Sequence, residues 1–92
     1  MYDKKYILEK IEEFNRHNHI YDDMEGKVCY PAYFKVGERG WFLYETVEYL
    51  PFGYFTSAHR IHTSTVENVE YLDSCVVVKT HNTRLTFKLI VD

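Results

Sequence analysis

The chain has 92 residues, 46% of them hydrophobic, and its 11 basic and 14 acidic residues give a net charge of -3. This length holds one domain, and this hydrophobic content excludes a disordered tail or linker. The charge is too small to indicate a nucleic-acid binder or a mimic of the phosphates of DNA. No 18-residue apolar run and no signal-peptide pattern is present, so we expect a cytoplasmic protein without a membrane segment.

The N-terminal 26 residues differ from the rest, because they hold seven acidic and four basic residues while the remainder is neutral. Within them Ile7, Ile11 and Phe14 recur at steps of four and three, the spacing of one helix face. The sequence therefore predicts a helix over residues 3–16 that packs on the rest of the domain through this apolar stripe.

From residue 27 onward the apolar pattern has a period of two, which is typical of half-buried strands. The predicted strands are 27–36, 41–49, 58–65 with 66–72 as its continuation or a further strand, 75–80 and 84–91. Residues 50–57 contain Pro51 and Gly53 and are predicted to form a loop. The fold class is therefore α+β, with helix 3–16 followed by antiparallel β structure over 27–91, as a five-stranded sheet or a small SH3-like or OB-like barrel.

In the last predicted hairpin, alternation fixes the buried face but leaves the register open. Val76, Val78, Leu85 and Phe87 face the core in either register. A loop at residues 82–83 pairs Val78 with Phe87, whereas a loop at residues 81–82 pairs Val78 with Leu85.

Aromatic residues make up 17% of the chain, with nine Tyr, six Phe and one Trp. Enough apolar residues for a core lie elsewhere: Ile7, Ile11, Phe14, Val28, Phe34, Val36, Leu43, Val47, Ile61, Val66, Val69, Val76, Val78, Leu85, Phe87 and Leu89. Tyr49, Phe52, Tyr54 and Phe55 are then surplus. They form either a lid that folds back on the barrel, or an exposed aromatic patch of the kind that anchors protein interfaces and stacks on bases. An interface between copies of this chain is the intermediate case.

Two further candidate binding residues, Arg60 and His62, should share one face of the third predicted strand. Together with Arg39 and Arg84, Arg60 would form a small anion site if these strands are neighbours. Separate solvated arginines are the favoured interpretation.

The sequence offers no recognisable catalytic or metal-binding pattern. The five histidines are His17, His19, His59, His62 and His81. His59 and His62 are three apart, which places them on opposite faces of a strand. Cys29 and Cys75 form no C-x-x-C pair, and two reduced thiols are expected, that of Cys75 buried and inert. We therefore expect no enzyme activity, no catalytic residue, no cofactor and no metal.

One stretch resembles short β-proteins encoded by phages and prophages of Gram-positive bacteria. The residues that carry the resemblance are Gly37, the run Arg39 to Glu45, the run His59 to Ser64, Val66, Val69, the run Val76 to Thr80, Asn82, Thr83 and Phe87. Many proteins of this size and source inhibit host defence systems, and anti-CRISPR proteins are among them. The resemblance implies a non-enzymatic inhibitor that binds a bacterial host protein, and it carries over no catalytic residue.

Two other functions stay open at this point. A nucleic-acid or nucleotide binder would use a barrel face with Arg60, Arg84 and Lys88, although the neutral β region makes this less favoured. A small hydrolase that uses histidine and cysteine ranks last.

Overall fold

A computed structural model describes residues 4–14 and 19–91 of the chain, and over these residues the protein is nearly all β. The strands are β1 Lys5–Glu13, β2 Val28–Tyr33, β3 Arg39–Leu50, β4 Gly53–Tyr71, β5 Cys75–Thr80 and β6 Thr83–Val91, with one short 3-10 helix, His19–Tyr21. Each strand pairs antiparallel with the next, and β1 pairs with β6 to close a barrel. The predicted small barrel is therefore confirmed, but the five-stranded SH3-like or OB-like form is wrong, because six strands follow one another in simple up-and-down order.

The predicted α+β class is wrong, because the segment expected to be helical is strand β1. Residues 3, 15 and 16 of the predicted helix lie outside the described residues. The backbone of Leu8 bonds to the chain before β2, donating to the carbonyl of Lys27 at 3.0 Å and accepting from the amide of Gly26 at 2.8 Å. On the other side, Leu8 is paired with Phe87 of β6. The first part of β1 is thus paired on both sides and the rest is paired with β6, and this tertiary pairing outweighs local helix propensity.

A β-bulge explains why β1 has helix-like spacing in the sequence. Leu8 pairs with Phe87 and Ile11 pairs with Leu85, so three steps along β1 match two steps along β6. Leu8 is fully buried and Ile11 packs against the same core. The extra residue resets the alternation and places two core-facing side chains three positions apart, as one face of a helix would.

The predicted loop at residues 50–57 is also wrong, since β3 and β4 run through most of it. Leu50 pairs with Gly53, so only Pro51 and Phe52 form the turn. Gly53 has a φ of +151°, a conformation that residues with a side chain rarely adopt. Pro51 and Gly53 therefore mark the tip of a long hairpin and not a longer loop.

The long strand β4 bends because its register shifts at two places. One shift lies opposite Gly40 of β3, beside Thr63 and Ser64, and the other lies between Val66 and Asn68. A Cβ atom at Gly40 would lie 2.5 Å from the ring of Phe34, so only glycine lets β3 pass this close to the chain that follows β2. Such bulges increase local twist, and they let one 19-residue strand extend the hairpin and still turn into the barrel wall.

The barrel interior is filled by aliphatic and aromatic side chains. The buried core cluster comprises Leu8, Tyr21, Met24, Cys29, Phe42, Ile61, Val66, Val76, Val78, Leu85 and Phe87. The rings of Phe42 and Phe87 meet edge to face with centroids 5.2 Å apart. In β3 the residue that faces the core is Phe42 and not Leu43. The core positions predicted for Leu43, Val47, Val36 and Phe14 are therefore wrong, and the last three of these side chains are exposed. Because β3 is apolar on both faces, alternation alone did not identify its inner face.

The last hairpin has the buried face predicted for it. Val76, Val78, Leu85 and Phe87 are all buried, which confirms the face. Val78 pairs with Leu85, so the loop is at residues 81–82 and the open choice of register is resolved. Among the described residues, no helix is long and apolar enough to cross a bilayer.

Because β1 is a strand, Leu8 should contribute more to the free energy of unfolding than its neighbour Ile7. Leu8→Ala should cost about 2–5 kcal/mol because its side chain is fully buried. Ile7→Ala, half-buried on the other face of β1, should cost about half as much or less. Urea denaturation of both variants measures this. A larger loss from Ile7→Ala than from Leu8→Ala would restore the helical stripe.

Candidate functional site

The most exposed apolar surface is the hairpin formed by the far ends of β3 and β4, residues 45–58, hereafter the aromatic hairpin. The pairing of β3 with β2 ends at Tyr44, and the pairing of β4 with β5 begins only at Val66. Beyond the barrel these two segments therefore pair only with each other. The molecule is elongated as a result, measuring 45 × 29 × 19 Å.

The predicted binding aromatics all lie on this hairpin, and they are solvent-exposed. Tyr49, Phe52 and Tyr54 are 82%, 87% and 71% exposed, and Phe55 is about half exposed. Tyr49 and Tyr54 are direct cross-strand partners with ring centroids 6.3 Å apart. By strand alternation Phe55 lies on the opposite face, beside its partner Glu48. The hairpin thus presents aromatic side chains at its tip and on both faces, and it does not fold back as a lid.

The base of the hairpin is held by a small polar cluster on its inner face. The hydroxyl groups of Thr46 and Ser57 are 3.1 Å apart, and Nε2 of His59 lies 3.1 Å from Thr46 and 3.4 Å from Ser57. The imidazole ring also packs on Tyr44 with centroids 5.2 Å apart. Within the described residues no carboxylate is hydrogen-bonded to His59, so this serine–histidine pair lacks the orienting third group of a hydrolase triad. The cluster links β3 to β4 at the base of the hairpin.

On the outer face at the same level, Arg60 stacks on Trp41 with its guanidinium carbon 4.1 Å from the ring centroid. Nearby, the hydroxyl group of Tyr30 donates to the carboxylate of Glu45. Burial, followed by this bond to Glu45, raises the pKa of Tyr30 to about 12. The side chains at the hairpin base are therefore held by specific partners, and the tip is not.

A second candidate site is a cavity of about 320 Å³ near the start of β3, hereafter the barrel-end pocket. It is lined by Tyr21, Arg39, His62, Thr63, Ser64, Thr65, Asn82 and Thr83. Arg39 and Leu50 are the two ends of β3, so the pocket and the hairpin tip are about 36 Å apart at roughly 3.3 Å per residue. The two sites are physically separate.

Hydrogen-bonded hydroxyl groups form the floor of the barrel-end pocket, and that of Thr80 lies directly beneath it. Ser64 Oγ donates to Thr80 at 2.8 Å and accepts from the amide of Asn82 at 3.2 Å. Thr80 and Thr83 are within 2.8 Å of each other, and the hydroxyl group of Tyr21 is hydrogen-bonded to Thr83. Burial raises the pKa of the Tyr21 phenol. This network ties β4 to the β5–β6 turn and to the segment before β2.

The three arginines considered as one anion site do not converge. Arg39 lines the pocket, with its Nε donating to the carbonyl of Thr63 at 3.0 Å. Arg60 is on Trp41, and Arg84 faces Glu12 of β1 at 3.4 Å. Of the two other predicted binding residues, His62 lines the pocket while Arg60 does not.

The two cysteines are free thiols in different surroundings. Cys29 is fully buried in the barrel, and this burial raises the pKa of its thiol to about 12. Cys75 was expected to be buried, but as the first residue of β5 it is only partly so. A buried thiol with a raised pKa is a poor nucleophile.

Histidines, cysteines and carboxylates do not gather into a metal site in the part of the chain that the structure describes. His59 and His62 lie on opposite faces of β4, one at the hairpin base and one in the pocket. His17 lies outside the described residues.

Comparison with protein-family models, with curated proteins and with solved structures found no match.

The pocket hydroxyls were not identified from the sequence, although a signal is visible there. Thr63, Ser64 and Thr65 form a run of hydroxyl residues within an apolar strand pattern, and Thr80 and Thr83 flank the last turn. Hydroxyl groups at buried strand positions need partners, and these come from other strands. Their spatial convergence depends on the pairing of β4 with β5 and on the bulge in β4 beside Gly40, which no local sequence pattern encodes.

The difference between the two thiols leads to a labelling experiment. At pH 8 an aromatic disulfide reagent should modify Cys75 and spare Cys29, because a thiol with a pKa of about 12 is only about one part in ten thousand thiolate at that pH. The variant Cys75→Ser should give no reaction when native and one thiol in urea. Rapid labelling of Cys29 in the native protein would contradict its burial in the barrel.

Proposed function

We propose that this is a non-enzymatic binding protein that acts through the aromatic hairpin on a protein of the bacterial host. The observation that carries the proposal is the exposure of Tyr49, Phe52 and Tyr54 on a two-stranded projection. Exposed apolar patches of this kind mark interaction sites, and Tyr and Phe on a pre-formed scaffold lose little conformational entropy on binding.

The backbone of the hairpin supports the same proposal. Residues 45–50 and 53–62 are paired on one side only, so their outer backbone groups are open to a further strand. A partner can add a strand along such an edge while its pockets take the aromatic side chains. The tip thus offers both apolar area and directional hydrogen bonds.

Charge favours a protein partner over a nucleic acid. Residues 45–58 contain Glu45 and Glu48 and no lysine or arginine. A nucleic-acid-binding surface needs cations that contact phosphates, and the aromatic hairpin has none. Its carboxylates suit a partner surface that is basic or neutral.

The resemblance to phage-encoded proteins narrows the proposed role. We take the partner to be a defence protein of the host cytoplasm, which the hairpin would block as an anti-CRISPR-like inhibitor does. The alternative of catalysis has little support, because Ser57 and His59 are committed to the hairpin base and the thiol of Cys29 is buried.

The decisive variants are Phe52→Ala and Tyr54→Ala, with Tyr71→Ala as the matched control. Tyr71 is also exposed on β4, at 70%, but it lies at the far end of that strand. All three should change the free energy of unfolding by less than about 1 kcal/mol, as exposed substitutions usually do. The hairpin variants should weaken partner binding at least tenfold, or about 1.4 kcal/mol, and Tyr71→Ala should not.

A phage-challenge assay in a CRISPR-bearing host tests the inhibitor role. The wild-type protein and Tyr71→Ala should restore plaque formation, and the two hairpin variants should fail to do so. No effect of the wild-type protein would remove the inhibitor role. Sedimentation that shows a dimer dissociated by Phe52→Ala would instead make a second copy of this chain the partner.

A further inference from the structure

We infer that the barrel-end pocket binds a small molecule through a phosphate-type oxyanion, independently of the aromatic hairpin. The pocket combines Arg39, His62 and Thr65 with hydrogen-bonded hydroxyl groups, and none of the described residues that line it carries a carboxylate. The hydroxyl groups of Thr63 and Ser64 already donate within the protein, so among the described residues the donors that face a ligand are those of Arg39, His62 and Thr65. An oxyanion is the ligand that such a set satisfies.

The first supporting observation is how the guanidinium group of Arg39 is bonded. Its Nε donates to the carbonyl of Thr63, which anchors the guanidinium group beside the cavity. Among the described residues no carboxylate lies within salt-bridge distance of Arg39, whereas Arg84 faces Glu12. The terminal amino groups of Arg39 are therefore the charged donors left for a ligand, and their fork geometry matches two oxygens of a phosphate group.

The rigidity of the floor is the second observation. Ser64, Thr80 and Thr83 are hydrogen-bonded to one another or to neighbouring backbone groups, and Thr80 and Thr83 are fully or almost fully buried. In the described part of the chain, no buried side-chain polar atom lacks a partner. The floor is thus pre-organised, and ligand binding would not have to order it.

The size of the cavity indicates what is attached to the oxyanion. A volume of about 320 Å³ is at the lower end of the range for small-molecule sites. This is roughly ten times the share of volume that one water has in the liquid, so the cavity has room for more than a lone phosphate ion. The side chain of Tyr21 forms one wall and can contact a sugar or another compact organic group. The class that fits is a small phosphorylated metabolite, such as a sugar phosphate.

Titrations followed by amide NMR spectra test this inference with three probes: inorganic phosphate, ribose 5-phosphate and unphosphorylated ribose. Phosphate should shift the amide signals of residues 62–65 and 82–83 and leave those of the hairpin tip unchanged. Ribose 5-phosphate should bind at least tenfold more tightly than ribose. Sodium chloride at matched ionic strength is the control for general salt effects.

Two arginine variants distinguish phosphate binding at a specific site from general attraction to positive charge. Arg39→Gln should weaken phosphate binding at least tenfold, and Arg60→Gln, which removes the same charge from the stack on Trp41, should change it less than twofold. Should Arg39→Gln lower the melting temperature by more than a few degrees, His62→Gln replaces it, because the side chain of His62 is exposed and lines the pocket.

Three results would overturn the inference. They are phosphate shifts no larger than those of chloride, equal losses from Arg39→Gln and Arg60→Gln, and tighter binding of a phosphodiester dinucleotide than of ribose 5-phosphate. The last result would assign the pocket to a nucleic-acid backbone. Phe52→Ala should retain phosphate binding, so failure of this inference is distinguishable from failure of the proposed function.

Discussion

The pairing of β1 with β6 is the constraint on which the rest of the structure depends. It joins the two ends of the described chain, and it surrounds Leu8, Leu85 and Phe87 with neighbouring strands. Without it, β1 and β6 would both become edge strands and the core would open between them. Charged partners lie on the outside of the same pair, where Glu9 faces Lys88 and Glu12 faces Arg84. These exposed pairs add little energy, but they favour one register of two strands that are distant in sequence.

Closure also determines where backbone is left available for other molecules. Once all six strands are paired around the barrel, the unpaired backbone is concentrated in the hairpin that extends past it. At the other end of β3, Gly40 packs closely on Phe34, and its amide donates to the hydroxyl group of Thr63 in the bulge of β4. The barrel-end pocket lies at this bulge, and Thr63 and Ser64 line it. The two proposed activities therefore follow from one strand pair, β3 and β4, which is longer than the barrel needs.

The sequence predicted the parts of this fold in which local pattern and burial agree. Apolar and polar residues alternate along most of β6, and the buried face of the β5–β6 hairpin was assigned correctly. In β1 a bulge puts Leu8 and Ile11 three residues apart, and the same spacing in a helix is indistinguishable by periodicity. In β3 both faces are apolar, so Phe42 and Leu43 were interchangeable until the barrel fixed the inner side.

The candidate sites were predictable to different degrees for similar reasons. The aromatics of the hairpin stood out because they exceeded what the core requires, and that argument needs only composition. The barrel-end pocket depends on Arg39, Ser64 and Asn82 meeting across separate strands, which no local pattern encodes. Arg60 was included as a binding residue because it shares a strand face with His62, but Trp41 takes up its guanidinium group.

The most direct test of the account is an NMR measurement of nuclear Overhauser effects within and around residues 5–13. Closure of the barrel predicts cross-strand contacts from the backbone of Leu8 to Phe87 and from Ile11 to Leu85. It also predicts strong sequential contacts between each α proton and the next amide, as extended chain gives. Helical contacts between residues three apart in this segment, together with the absence of contacts to β6, would contradict the closed barrel and both sites derived from it.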